Sequence, residues 1–225
     1  MHSADTIVPM TTDTTIPDPP APDATFAVPA TAEQVARAAK ALAARGFSVE
    51  ILGDASVARA RLRALLPEGS AVFTAAGETL RLSGIHEDIN ASGRYQAIGP
   101  RVMALDRSTQ MNDIRVLMAT PEVVVGSVAA VTETGSLLAV SASGSQIPAY
   151  GGGAARRIWV VGAQKVVPDL STALRRIETY AYPLEDVRAR AAYGVPSAAN
   201  QILIINGEPY PGRSTVLLLR QAIGY

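Results

Sequence analysis

The chain has 225 residues, 48% of them hydrophobic, enough for one α/β domain with a full core and no run long enough to read as a membrane helix. Twenty basic and twenty acidic residues cancel, and no Lys/Arg block occurs, so the electrostatic footprint of a nucleic-acid binder is missing. Cysteine is absent and His2 and His86 are the only histidines, which excludes disulfides, thiolate nucleophiles, cysteine-ligated clusters and multi-histidine metal sites, and fits a reducing, cytoplasmic setting.

Residues 1–29 carry six Pro, six Thr and four Asp with no Lys or Arg and no hydrophobic periodicity. They read as a disordered, acidic Thr/Pro-rich arm, without the basic start and apolar centre of a secretory signal, and the folded domain is expected over 30–225. Thr31-Ala32-Glu33-Gln34 fits a capping box, and Val35, Ala38, Ala39 and Leu42 repeat at helical spacing, predicting a helix over 32–45. Phe47–Leu52 alternates as a strand. Gly53-Asp54 then caps a helix whose Leu62, Leu65 and Leu66 face inward, leaving Arg59, Arg61 and Arg63 on a solvated face. Ala71–Thr74 is a short buried strand leading through Gly77 into a helical turn at Leu80 and Leu82. Helix–strand alternation in units of this size implies parallel strands with crossovers, a three-layer α/β/α fold around a mostly parallel sheet.

Residues 86–106 suggest loops around a short helix. Ser108 or Asn112 is placed to cap a helix over 113–118 that Thr120-Pro121 ends. Val123–Val131, Leu137–Val140, Ile158–Val161, Ile202–Ile205 and Val216–Leu219 read as core strands. A Pro168-started helix to Thr179 and a second near 184–192 complete the pattern.

Ligands of open α/β sheets bind outside the carboxyl ends of the strands. Four loops have that address. Thr74–Thr79 runs through Gly77 to the Thr79 hydroxyl, either as an ordinary capped turn or as a cradle for a phosphate or carboxylate. Gly126-Ser127 offers close backbone approach and a donor, or simply a bulge. Gly151-Gly152-Gly153 with Arg156, and Gly162-Ala163-Gln164-Lys165, set cations beside flexible backbone. Arg suits bidentate capture of an anion and Lys165 acts as a point charge, yet both also read as solvated cations. Glu133-Thr134-Gly135 interrupts an apolar run, so Glu133 either initiates a turn with Gly135 at positive φ or serves as general base, nucleophile or acceptor for a hydroxyl-bearing substrate. No dinucleotide or phosphate-loop fingerprint is present. Trp159 reads as core, and Tyr180-Ala181-Tyr182-Pro183 as a helix-end cluster or a partner seat.

Taken in order, GSVAAVTETGSLLAV at Gly126–Val140, IWVVGAQKVVPDL at Ile158–Leu170, and Pro211-Gly212-Arg213 through Ile223-Gly224-Tyr225 resemble the lactate-utilisation (LUD) domain family over roughly residues 31–225. That resemblance implies an acidic residue–Thr–Gly step at Glu133, Thr134 and Gly135, the Lys of a Gly-x-x-Lys-Val-Val segment at Lys165, and a Gly-Arg at Arg213. It also implies the fold shared by ribose-phosphate isomerases, glucosamine-phosphate deaminases and CoA transferases, in which a carboxylate in a Glu-x-Gly context attacks a thioester. The role implied is in bacterial oxidation of lactate to pyruvate beside iron–sulfur partner subunits. Lacking cysteine, this chain departs from cluster-bearing relatives, which leaves it binding a small anionic metabolite or partners while another subunit supplies the redox centre. A stand-alone isomerase- or CoA-transferase-like enzyme using Glu133, with Lys165 or Arg156 holding the anion, and a non-catalytic binding module are the alternatives.

Overall fold

A computed structural model of the chain describes residues 19–225; the expectation of disorder over 1–18 lies outside the described residues. From Asp23 onward the arm packs on the domain, the Asp23 N–H donating to the Thr179 carbonyl at 2.8 Å. The Asp23 carboxylate accepts from the Thr25 N–H and starts a 3₁₀ turn over Ala24–Ala27, whose Phe26 is buried against the Tyr180 ring and beneath the Arg175 guanidinium. One aromatic ring with a place to bury outweighs the disorder-prone composition around it.

Thr31 and Gln34 close the expected capping box, with the Gln34 N–H donating to Thr31 Oγ1 at 3.2 Å and the Thr31 N–H donating to Gln34 Oε1 at 2.9 Å, and this opens α1 (Ala32–Ala44). After β1 (Ser48–Leu52), the Asp54 carboxylate caps α2 (Ala55–Leu65). The outward arginines of α2 are neutralised within the chain, Arg59 and Arg63 by Asp88 and Arg61 by Glu50, so they form no free basic patch. β2 (Ala71–Thr74), α3 (Glu78–Leu82) and α4 (Ile85–Ala91) follow. The stretch expected as loops is more regular than its glycines suggest, forming β3 (Gln96–Ala97) and α5 (Ile98–Met103) after α4. α6 (Met111–Ala119) begins after Gln110 with no side-chain cap, because the Ser108 hydroxyl is already committed to Asp106 at 2.7 Å.

The apolar run predicted as one strand over Val123–Val131 is two, β4 (Val123–Gly126) and β5 (Ala130–Thr132), in different sheets. Both are buried on every side, and the only mark of the change of sheet is Gly126-Ser127, a break too short to separate from a bulge within one strand. β6 (Leu137–Ser141), β7 (Arg156–Val161) and β8 (Val166–Val167) come next. α7 (Leu170–Arg176) and α8 (Tyr182–Tyr193) were expected as separate helices but run on through a wide π turn at Ile177–Ala181. Pro183 lacks an N–H and crowds the preceding turn; widening that turn accommodates it without ending the helix. β9 (Gln201–Ile205) and β10 (Ser214–Leu219) complete the fold.

The main sheet is six-stranded and wholly parallel, in the order β1-β10-β7-β4-β2-β3. Along β7, Ile158 and Val160 pack beneath Leu62 of α2 and Ile85 and Ile89 of α4, while Trp159 and Val161 pack on the side of Val35 and Leu42 of α1 and Ile114 of α6. The strict alternation places apolar side chains on both faces and helices over each. A second, four-stranded sheet, β8-β5-β6-β9, packs Ala130 and Leu138 against Ala173 and Ile177 of the α7–α8 helix. Two connectors carry the chain from the first sheet to the second, 127–129 between β4 and β5 and 162–165 between β7 and β8. Both leave from carboxyl ends of adjacent parallel strands, and they run side by side.

Candidate functional site

A cleft of about 400 Å³ opens where these connectors leave the main sheet. Gly77 and Thr79 after β2, Ser127 after β4 and Lys165 after β7 form its floor, so three of the four candidate loops converge. The opposite wall comes from Ser141 at the end of β6 and Gln146 beyond it, from Tyr182, Glu185, Arg188 and Tyr193 of α8, and from Tyr225.

Lys165 is the centre of the floor. It sits in a 3₁₀ turn, Ala163–Lys165, and is only 2% exposed. Its Nζ donates to Thr79 Oγ1 at 2.9 Å and to the Val128 carbonyl at 3.0 Å, and lies 3.1 Å from Ser127 Oγ. None of the three is a carboxylate. Burial, and secondarily the charge of Arg176, push the Lys165 pKa well below the ordinary lysine value. Arg176 is itself fully buried, with Nε donating to the Gln164 carbonyl at 3.1 Å and Nη1 to the Ala129 carbonyl, and burial draws its pKa down to about 10. Its Nη2 has no hydrogen-bond partner. Two neighbouring buried basic side chains stand without a carboxylate contact, and an anion is the group that would offset the desolvation of their charged forms.

The carboxylates near the cleft are already matched. Glu78 holds Arg81 at 2.6 and 2.8 Å. Glu185 holds Arg188 and accepts the Tyr225 hydroxyl at 2.7 Å; burial and that carboxylate together raise the Tyr225 pKa. Gly126 does not line the cleft but shapes it, since a Cβ there would lie 1.6 Å from Tyr150 Oη. The missing side chain lets the buried Tyr150 hydroxyl donate to the Ser127 carbonyl at 3.0 Å, fixing the connector that carries Ser127.

The other sequence candidates stand elsewhere. Glu133 occupies the β5–β6 turn, where Arg37 Nε donates to Oε2 at 2.6 Å and Gln34 Nε2 to Oε1 at 3.1 Å; both its oxygens are engaged by α1, and it does not line the cleft. Thr134 shares a 2.9 Å hydroxyl contact with Thr132, and Gly135 has φ +92°, with Ala41 backbone where a Cβ would lie. The Glu-Thr-Gly step thus forms a turn docked on α1. Arg156 begins β7, at the amino end of the strand whose carboxyl end leads to Lys165, and Gly151–Gly153 belongs to a helical turn over Ala149–Gly153. Arg213 precedes β10 at that same amino edge, binding Glu208 at 3.0 and 3.1 Å and stacking on Tyr210. Parallel topology separates these cations from Lys165 by the length of the sheet.

Sequence reasoning missed Arg176, an ordinary basic position in an amphipathic helix, and the α8 wall apart from Tyr182, which it read as part of a helix-end cluster or partner seat. The Ser-rich Ser141–Ser145 run just past a strand and the terminal Tyr225 were its available signals.

The arrangement is that of a three-layer α/β protein with a polar, lysine-centred cleft at the carboxyl edge of a parallel sheet. The chain belongs to the LUD domain family, whose model matches residues 35–219, a family associated with lactate utilisation in general. Among solved structures it is similar to a DUF162 family protein from Deinococcus radiodurans, with 15% identity over 85% of this chain and 99% of that one and a TM-score of 0.51, a likeness of fold alone. No curated protein matches it in sequence. Among the described residues no helix is long and apolar enough to cross a membrane.

Proposed function

We propose that the cleft binds a small carboxylate of the lactate and pyruvate kind, with Lys165 as its cationic anchor. On this reading the chain serves lactate oxidation as a substrate-binding subunit that holds no cluster of its own. The observation that carries it is the Lys165 Nζ, buried at the cleft floor among Thr79, Ser127 and the Val128 carbonyl with no carboxylate in contact. An entering carboxylate supplies the missing counter-charge; the Ser127 hydroxyl is free to turn and donate to its oxygens, while Thr79 Oγ1, whose proton goes to the Ile223 carbonyl, can only accept, as from a 2-hydroxyl. Without cysteine, a cysteine-ligated redox cluster belongs to a partner subunit. The cleft exceeds a three-carbon acid in size, so longer 2-hydroxy acids belong in the test panel.

Thermal-shift titration of the full chain with lactate, pyruvate and longer 2-hydroxy acids, against lactamide as the uncharged control, tests the reading. Saturation at 100 times Kd should stabilise the native state by about 2.7 kcal/mol. Equal shifts from lactamide, or no shift from any acid, would overturn it.

A further inference from the structure

The hydrogen-bond inventory around Lys165 admits an uncharged amine as readily as an ammonium. The Val128 carbonyl only accepts. Thr79 Oγ1 gives its own proton to the Ile223 carbonyl at 3.3 Å, so toward Nζ it too accepts. These partners take two N–H groups. Ser127 Oγ is the one neighbour able to turn, accepting a third proton from an ammonium or donating into the lone pair of an amine. Its other polar contact, the Val128 carbonyl, lies at the 3.5 Å limit and does not bind it firmly. Rotating one hydroxyl therefore uncovers the amine lone pair toward the cleft that Ser127 and Lys165 both line. Lys40, exposed on α1, is the only other lysine among twenty basic residues, so Lys165 is the one lysine at the cleft, where arginine serves almost everywhere else.

We infer that Lys165 is a covalent docking group for 2-oxo acids, its Nζ adding to the keto carbon to form an imine held in the cleft. This rests on the reading of the cleft as a small-carboxylate site. The Nζ lone pair forms the N–C bond while the carbonyl π pair moves to oxygen. Ser127 relays the proton from nitrogen to that oxygen, giving a carbinolamine. The hydroxyl then leaves with a proton as water as the N=C bond forms, so amine and 2-oxo acid become imine and water, with no oxidant consumed. The imine nitrogen then takes up one proton from solvent, and the resulting cation faces the ligand's own carboxylate, which supplies the counter-ion that the floor otherwise lacks. A 2-hydroxy acid has no electrophilic carbon and binds the same floor reversibly.

The experiment treats the full chain with pyruvate and borohydride, then reads intact mass and a peptide map. A single reduced adduct per chain, confined to Lys165 and suppressed by excess lactate, is expected. Lys165→Arg should keep an acid-induced thermal shift and lose the adduct; should that variant not fold, lactate protection of the wild-type chain decides alone. Labelling of Lys40 to the same extent, or adduct formation that lactate leaves unaffected, overturns the inference. No adduct despite thermal shifts with lactate and pyruvate also overturns it while leaving the anion site standing; no adduct and no shifts removes both.

Discussion

Lowering the pH should tighten lactate binding, with Lys165 setting the size of the effect. In the empty cleft, burial strips the ammonium of water and Arg176 adds like-charge repulsion, so the native pKa lies well below 10.5. A bound carboxylate favours the ammonium, so binding takes up a proton wherever the pH exceeds the empty-site pKa. Over that range each pH unit weakens Kd by up to about tenfold, or ~1.4 kcal/mol. Folding shows the reciprocal effect. The unfolded chain keeps this proton up to about pH 10.4 and the native state does not, so stability rises with pH between the lowered pKa and that value. Below the lowered pKa the penalty is present in full. The other charges facing the cleft are matched, Glu78 by Arg81 and Glu185 by Arg188 and Tyr225, which leaves Lys165 as the group that changes. Calorimetric titration with lactate between about pH 5 and 9, where the ligand stays ionised, reads the slope. Lys165→Met should bind roughly ten- to a hundredfold more weakly at the low end, the loss of a charge-assisted hydrogen bond, and with a flat profile. Identical pH slopes in both proteins, or undiminished binding by Lys165→Met, would refute the reasoning.

Glu208→Gln should cost about 3–5 kcal/mol in denaturant titrations near neutral pH, because it leaves Arg157 buried without its carboxylate. Burial alone would raise the Glu208 pKa, but Arg213, Ser214, the Tyr210 N–H and Arg157 overcome it and hold the value at about 2. That stabilisation is present above the ordinary carboxylate pKa and lost as pH falls toward 2, so the deficit of the variant should shrink in acid; a constant deficit would count against the pairing. Gly126→Ala should cost about 1–3 kcal/mol by driving Tyr150 off the Ser127 carbonyl. Gly77→Ala, with open space around its Cβ, should stay within about 0.5 kcal/mol, and equal losses at the two sites would contradict the geometry. Glu133→Gln should leave lactate affinity unchanged and cost under about 1 kcal/mol, since its partner Arg37 is half exposed. A fall in affinity would return Glu133 to the binding machinery.

What was legible in the sequence followed from local chemistry. The Thr31 capping box, the Asp54 cap and the alternating Phe47–Leu52 strand are set by neighbours within a few residues, and each forms to within a residue of its expected place. The convergence of Thr79, Ser127 and Lys165 follows from one further rule, that parallel strands expose their carboxyl ends on the same edge. Glu133 misleads because a carboxylate between buried strands signals a paired charge whether or not it works, and its partners Gln34 and Arg37 lie about a hundred residues away. Arg156 and Arg213 mislead for a topological reason: here the glycine-then-cation pattern precedes a strand, whereas at Lys165 it follows one, and in a parallel sheet that reverses the edge. The burial of Lys165 had no local sign, because it depends on α7 and the terminal segment closing over the connector.

The two buried cations divide the work at the junction between the sheets. Arg176 reaches from α7 to the Gln164 carbonyl on one connector and the Ala129 carbonyl on the other, sealed from solvent and bonded to backbone alone. Lys165 makes the same bridge from the second connector to the first through the Val128 carbonyl, but its remaining partners are side-chain hydroxyls at the cleft floor. Carbonyls turned inward by a chain leaving one sheet for another need donors, and a cation supplies them at the cost of its own desolvation. Arginine, with its proton fixed, suits the sealed side. On the open side a lysine, whose proton burial makes easier to remove, would under the proposed function recover that proton when an acid enters, so the same bond that joins the sheets would also respond to the ligand.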